Sequence, residues 1–291
     1  MLALARPHLL LASVILALLG ACDDGSTDNS TNNSNNSSNN SNNSNNSSNN
    51  STNNSTNNST NNSTNNNTTT EPNEAVLELA VRRLNDGQDV TAFEGARDAF
   101  VARLREQEGV EVDREFMAFF DFAAQGAPAS PVFVGMTQYA GLDAFQAAGE
   151  ELGSSPEAAN FFATFTPQAF TALRPLDPAR PVELAEIANQ PGQVLEVAVR
   201  DLSGYEAFDQ EDYEAARDNF LALLREQAGF VAEYQWVSVL DSDVVVGMTV
   251  YESQEAFFGV LGNESFVSDP ATGAFLFGYP PSAGYVNAVV R

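Results

Sequence analysis

The chain has 291 residues, with 13 basic residues against 39 acidic ones, and its formal net charge at pH 7 is −26. Such an excess of negative charge repels nucleic acids and anionic lipid head groups, so neither is an expected partner. Every basic residue is arginine, and the single cysteine, Cys22, excludes an intramolecular disulfide and a cysteine-based metal site.

The first 22 residues combine a basic residue, an apolar run and small residues before a cysteine. Arg6 precedes an apolar run over residues 9–19, which is too short to span a membrane. The string LGAC at 19–22 resembles a lipobox, in which the cysteine becomes the first mature residue and receives lipid. We expect a signal peptide over 1–21 and a lipid anchor on Cys22 that holds the protein at a membrane of the cell envelope, in the periplasm or at the cell surface. The alternative is an ordinary signal peptide followed by a chance cysteine.

After the anchor the chain consists almost wholly of Asn, Ser and Thr, with no aromatic or aliphatic side chain from residue 25 to residue 70. Such a segment has nothing to bury that would offset the entropy lost on ordering its backbone. The sequence therefore predicts a disordered tether over 22–72.

The rest of the chain contains an internal duplication. VLELAVRRL at 76–84 returns as VLEVAVRDL at 194–202, GARDAFVARLREQEGV at 95–110 returns as AARDNFLALLREQAGF at 215–230, and FVGMTQY at 133–139 returns as VVGMTVY at 245–251. Three matched blocks in one order indicate that one folding unit has been duplicated. We place the first repeat at 73–176, a linker at 177–193 and the second repeat at 194–291.

Each repeat begins with a strand and a helix. Apolar and polar residues alternate over 194–202, which predicts a strand with one apolar face. In the next block, apolar residues recur at spacings of three and four, which predicts an amphipathic helix. We expect these helices to end at Gly109 and Gly229.

A hairpin, a less regular helical region and a last strand complete each repeat. Asp241, Ser242 and Asp243 form the predicted hairpin turn of the second repeat. The remaining strands are expected at 116–122, 132–139 and 169–176 in the first repeat and at 231–240, 244–251 and 284–290 in the second. The element order is βαββαβ.

This order gives a four-stranded antiparallel sheet with both helices on one face. Apolar side chains occur on both sides of the strands, so the second face must be buried as well. We predict an α+β fold in which two ferredoxin-like repeats pack sheet against sheet within one chain and close into a barrel. The 177–193 linker is long enough for this intrachain pairing, and we expect a monomer.

The pattern resembles the dimeric α+β barrel superfamily, especially the antibiotic biosynthesis monooxygenase-like domains. The resemblance lies in VLEVAVRDL followed by YEAARDNFLALLREQ, and in VVVGMTVYESQEAFFGVL at 244–261, which FVGMTQYAGLDAFQAAG at 133–149 repeats. It covers 76–176 and 194–291, and it is one of topology, without a diagnostic catalytic motif. It implies a cofactor-independent monooxygenase that acts on phenolic or quinol-like molecules, as in some members of the family.

The chemistry open to the mature chain is narrow. His8 leaves with the signal peptide, Cys22 is expected to be acylated, and the chain has no lysine. Histidine-ligated haem and zinc are therefore excluded, as are Ser-His-Asp and Cys-His catalysis. We expect neither metal nor cofactor, and carboxylates, phenols and guanidinium groups remain for proton transfer and charge stabilisation.

The candidate site lies in the second repeat, with Glu196 as a base of raised pKa, Arg200 as a stabiliser of an oxyanion and Tyr234 as a third catalytic group. The other predicted ligand-binding residues are Trp236, Ser238, Thr249 and Tyr251, together with Glu78, Arg82 and Tyr139 at matching places in the first repeat, where Thr137 also matches Thr249. The first hairpin has no Trp or Tyr in 116–122, which is consistent with one working cavity and one structural half.

Each of these residues has a purely structural alternative. Aromatic residues at period two in a strand are more often core, and a Glu–Arg pair is more often a neutralising pair on a sheet. Two functions therefore stand. The first is a tethered module that binds a small hydrophobic or aromatic ligand or serves as a scaffold, and the second is the monooxygenase. The geometry of the cavity decides between a ligand site and a filled barrel.

Overall fold

The computed structural model of the protein describes residues 74–205 and 207–290. The signal peptide, Cys22 and the tether lie outside these residues and stay predictions. None of the helices in the described ranges has the length and apolar character that crossing a membrane requires.

Both repeats contain the predicted order of elements. The first repeat consists of β1 (Val76–Leu84), α1 (Val90–Leu104), β2 (Val110–Asp121), β3 (Val132–Tyr139), α2 (Leu142–Leu152), α3 (Pro156–Phe162) and β4 (Phe165–Pro175). The second consists of β5 (Val194–Asp201), α4 (Gln210–Arg225), β6 (Phe230–Ser238), β7 (Val244–Tyr251), α5 (Gln254–Leu261), α6 (Glu264–Val267), α7 (Pro270–Gly278) and β8 (Ala283–Val289).

Side chains that cap the backbone fix where the helices begin. The carboxylate of Asp89 accepts a hydrogen bond from the N–H of Thr91 at the start of α1, and Asp209 does the same for Asp212 at the start of α4. These caps satisfy amide groups that have no partner within the helix. The sequence reading of the helix ends was wrong. Both α1 and α4 end four or five residues before Gly109 and Gly229, which have φ angles of 81° and form the turns into β2 and β6.

The eight strands form one closed antiparallel barrel in the order β1-β3-β2-β8-β5-β7-β6-β4, and β4 pairs with β1 to complete the ring. Two seams join the repeats. At one seam β2 pairs with β8 through five residue pairs, and at the other β4 pairs with β6 through three. The predicted α+β barrel within one chain is therefore confirmed.

The two faces of each sheet have different surroundings. Alternate strand residues point into the barrel and form its core, among them Leu79, Val197, Trp236 and Met248. The opposite faces are covered by helices and form separate hydrophobic clusters. Each repeat therefore has a second internal space, between the outer face of its sheet and its helices.

The linker between the repeats is part of the barrel core. Leu184 and Ile187 are buried, and they pack with the residues inside the barrel. The side-chain carbonyl of Gln138 accepts a hydrogen bond from the N–H of Leu184, and Arg114 donates to the carbonyl oxygens of Ile187 and Ala188. The linker thus occupies the space between the two sheets, a role that the sequence did not reveal.

Candidate functional site

The first repeat contains a cavity of about 1020 Å³ between the outer face of its sheet and helices α1, α2 and α3. Six phenylalanines contribute to its wall: Phe100, Phe145, Phe161, Phe162, Phe165 and Phe170. Ligand pockets in proteins are concave spaces of this order, lined mainly by apolar and aromatic groups with a few polar ones. The cavity therefore has the size and lining of a site for a small organic molecule.

Small side chains on the helices account for this space. Ala148 and Gly149 line the cavity, and the second repeat has Val260 and Leu261 at the equivalent positions of its helix α5. Likewise, Val101 on α1 corresponds to Leu221 on α4. In the second repeat, Leu221 and Val260 are buried in one hydrophobic cluster with Phe220, Phe257 and Phe275. Larger side chains thus occupy the sheet–helix space there.

Glu78 and Tyr139 form the polar part of the cavity. The hydroxyl of Tyr139 donates a hydrogen bond of 2.7 Å to one carboxylate oxygen of Glu78, and no described residue bonds to the other oxygen. Burial raises the pKa of Glu78, although the bond from Tyr139 and the charge of Arg82 oppose the rise. The pKa of Tyr139 is also raised, because its hydroxyl is buried beside Glu78. Tyr139 is therefore a neutral donor, and Glu78 is the group in this pair that can accept a proton.

Arg82 is paired with a carboxylate next to this site. Its Nη2 donates to both oxygens of Glu115, at 2.9 and 3.0 Å, and both residues are buried. The guanidinium group also lies over the ring of Phe161, 5.1 Å from its centroid. The guanidinium group of Arg82 can lie here only because residue 135 is glycine. A Cβ atom on residue 135 would lie 1.8 Å from Nη2 of Arg82. The Arg82 charge is neutralised within the protein.

The second repeat keeps half of this arrangement. The hydroxyl of Tyr251 donates to Glu196 at 2.7 Å, and burial raises the pKa of both groups. However, Gln235 occupies the position of Glu115. Nε of Arg200 donates to the carbonyl oxygen of Tyr279 at 2.8 Å, and burial lowers the pKa of Arg200. The duplicated residues have thus diverged around a shared Glu–Tyr pair.

The structure does not bring the predicted catalytic residues together. Glu196 pairs with Thr249 across β5 and β7, whereas Tyr234 pairs with Met248 across β6 and β7. Since successive residues of a strand point to opposite faces, Tyr234 lies on the barrel side and Glu196 lies on the helix side. The predicted single cavity that contains both is therefore wrong.

The remaining predicted residues divide between the same two faces. Trp236 and Ser238 lie inside the barrel, where Ser238 accepts a hydrogen bond from Thr171. Arg200, Thr249 and Tyr251 share the helix face of the second repeat with Glu196. Glu78, Arg82, Thr137 and Tyr139 all line the cavity of the first repeat. The cavity of about 1020 Å³ is thus in the repeat that has no Trp or Tyr in its β2 strand.

Sequence reasoning missed Glu115, Phe161 and the cavity itself. A residue-by-residue comparison of the two repeats contains one usable signal, since Ala148 and Gly149 on α2 replace larger apolar residues of α5. Glu115 gives no such signal, because a charged residue in a strand is usually assigned to solvent. Among the described residues, no group of three or more His, Cys, Asp or Glu side chains is placed to hold a metal ion.

No protein-family model matches the chain, and no curated protein matches it. Among solved structures it is similar to an anthrone oxidase-like protein, with 14% identity over 75% of this chain and 92% of that one and a TM-score of 0.48. It is also similar to a chlorite dismutase of Candidatus Nitrospira defluvii, with 10% identity, coverage of 75% and 92%, and a TM-score of 0.46. A third similar structure is the cofactor-independent oxygenase SnoaB of Streptomyces nogalater, with 17% identity and a TM-score of 0.26. The match covers 34% of this chain and 92% of SnoaB. At these values the likenesses carry no conclusion about activity or substrate.

Proposed function

We propose that the chain is a lipid-anchored protein of the bacterial cell envelope whose first repeat binds a small hydrophobic ligand with an aromatic ring and a hydroxyl group. The observation that carries the binding proposal is the cavity of about 1020 Å³ with aromatic walls and the Glu78–Tyr139 pair at its surface. The anchor rests on the sequence at 1–22 alone.

The polar groups define the chemistry of the ligand. The oxygen of Glu78 that Tyr139 leaves unbonded is a hydrogen-bond acceptor, which suits a ligand hydroxyl group. Arg82 already binds Glu115, so an anionic ligand would have to compete with a carboxylate for this cation. The phenylalanine side chains favour ring contacts. A neutral phenol satisfies all three conditions.

Titration calorimetry with 1-naphthol tests the proposal. The full chain carries Cys22→Ser, so that no acyl chain can occupy the cavity. We expect saturable binding, weakened about tenfold by Glu78→Gln because the weaker carbonyl acceptor of a neutral amide replaces the carboxylate. Glu196→Gln is the matched control, since it alters the equivalent pair of the second repeat. Absence of saturable binding, or equal losses in both variants, would contradict the proposal.

The raised pKa of Glu78 favours a second candidate, a cofactor-independent monooxygenase in which Glu78 is the base. A methylene group between aromatic rings would lose its proton to Glu78. The carbanion would then reduce O₂ and form a carbon–oxygen bond, which gives a peroxide anion. This anion would take the proton back from Glu78, and the resulting hydroperoxide would lose water to leave a ketone. Each turnover consumes one O₂ and releases one water, without an external reductant.

Oxygen uptake with anthrone, which has such a methylene group, tests this candidate. The expected result is uptake that increases with pH as Glu78 loses its proton and that Glu78→Gln abolishes. Uptake that persists in Glu78→Gln would exclude Glu78 as the base, and no uptake at all would leave the binding module as the function.

A further inference from the structure

The cavity of the first repeat is completed by one residue of the second. Leu240 is the only cavity-lining residue among the described ones that comes from outside the first repeat. It lies in the turn after β6 and is 40% exposed. Its side chain is therefore at the boundary between the cavity and solvent.

Hydrogen bonds across the shorter seam hold Leu240 in place. The hydroxyl of Thr171 on β4 donates to Oγ of Ser238 at 2.6 Å. The same Oγ accepts the N–H groups of Leu240 and Asp241, each at 3.0 Å. In addition, the N–H of Val239 donates to the carbonyl oxygen of Ala172 at 2.8 Å. The turn of one repeat is thus attached to the last strand of the other.

The duplication provides an internal comparison for Leu240. Glu115 and Gln235 are equivalent, because they lie opposite Gly135 and Gly247 in the two hairpins. Counting five residues on from each of them makes Phe120 the counterpart of Leu240.

Phe120 crosses the other seam in the same way and packs on the second repeat. Its ring centroid lies 5.3 Å from that of Phe257 and 6.0 Å from that of Phe258, within the cluster that fills the sheet–helix space. The same position thus carries a large ring where that space is filled and a smaller aliphatic side chain where the cavity is open.

We propose that Leu240 limits the size of molecule that can pass into the cavity of the first repeat. This inference rests on the proposed ligand site and adds a size limit set by the partner repeat. Phenylalanine at this position would narrow the opening, and alanine would widen it.

A single cysteine inside the cavity measures access without any assumption about the natural ligand. Ala148 is 3% exposed and lines the cavity, so in a Cys22→Ser background the variant Ala148→Cys has one thiol, which reagents reach through the cavity. The reagents are N-ethylmaleimide, which is small, and N-(1-pyrenyl)maleimide, which carries four fused rings. The quantity compared is the ratio of their alkylation rates on the full chain.

We expect Leu240→Phe to slow the pyrenyl reagent about tenfold relative to the small one, because the larger ring narrows the opening more for a wide reagent than for a small one. Leu240→Ala should shift the ratio in the opposite direction. Leu176→Phe is the control, since Leu176 is also 40% exposed near the same seam but does not line the cavity. An unchanged ratio in both Leu240 variants, or an equal change in Leu176→Phe, would overturn the inference.

The binding experiment separates this result from the proposed function. If Leu240 controls the ratio and 1-naphthol does not bind, the size limit stands and the proposed ligand class fails. If 1-naphthol binds and the ratio does not respond to Leu240, the ligand site stands and the size limit fails.

Discussion

The two hairpin glycines offer a matched test of the buried Arg82–Glu115 pair. A Cβ atom at Gly135 would lie 1.8 Å from Nη2 and 2.8 Å from Cζ of Arg82, so Gly135→Ala must move the guanidinium group, and we expect this movement to break its pair with Glu115. At Gly247 the nearest atom to a new Cβ is Nε2 of Gln235, at 3.6 Å, which is an ordinary contact. The same substitution should therefore have different effects in the two repeats.

The expected magnitudes follow from what is lost at each position. Breaking a buried ion pair costs about 3–5 kcal/mol when one charge is left without its partner. Alanine regains about 0.5–1 kcal/mol in a strand relative to glycine. Gly135→Ala should thus lower the free energy of unfolding by roughly 2–4.5 kcal/mol. Gly247→Ala should range from neutral to about 1 kcal/mol stabilising.

Urea denaturation of the full chain with Cys22→Ser measures both values. Circular dichroism and the fluorescence of Trp236, which lies inside the barrel, should give coincident transitions if unfolding is two-state. In a background with Arg82→Met and Glu115→Met, the cost of Gly135→Ala should largely disappear, because no guanidinium group remains to be displaced. Equal free energies of unfolding for the two alanine variants, or a cost that survives in that background, would refute the reasoning.

Three further predictions follow from the same structure. Because burial raises the pKa of Glu78 above its ordinary value of 4.5, ionising this group opposes folding, and stability should fall as pH rises through the raised pKa. Melting temperatures recorded from acid to neutral pH measure this fall, and Glu78→Gln should make it smaller. The same dependence of melting temperature on pH in Glu78→Gln and in the unsubstituted protein would contradict the prediction. Phe257→Ala, at a 1% exposed ring in the hydrophobic cluster between the sheet and helices of the second repeat, should cost about 3–5 kcal/mol in urea denaturation. Phe258→Ala, at a 43% exposed ring, should cost clearly less. Ile187→Ala in the linker should cost about 2–5 kcal/mol if the linker is core, whereas a cost near zero would mean that it packs only loosely.

The sequence predicts the barrel because the duplication and the order of elements are local properties. Alternating residues over 76–84 and 194–202 establish the strands, and apolar residues on both sides of them require two buried faces. Because both sides of the strands are apolar, however, the sequence does not show which side faces the barrel interior and which faces the helices. When both faces are apolar, the alternation does not tell whether Tyr234 or Glu196 points into the barrel, and the candidate site was assembled from both.

The polar residues of β2 account for the misplaced start of this strand and for the missed ion pair of Glu115. The strand begins at Val110, six residues before the predicted start at 116, and the part that the prediction omitted contains the charged residues Arg114 and Glu115. Their charges are compensated by groups far away in the sequence, namely linker carbonyl oxygens for Arg114 and Arg82 for Glu115. Such partners become visible only when the strands are placed side by side.

The covalent joining of the two halves has an evolutionary consequence. In a symmetric dimer every substitution appears twice, so a cavity is opened, filled or recharged in both subunits at once. In this chain one gene encodes two copies of the repeat, and each copy can be substituted separately. Glu115 therefore lies opposite Gly135 in the first repeat, whereas Gln235 lies opposite Gly247 in the second. Substitutions in one repeat can then fill its sheet–helix space and stabilise the barrel. The other repeat can keep that space open and acquire a binding site.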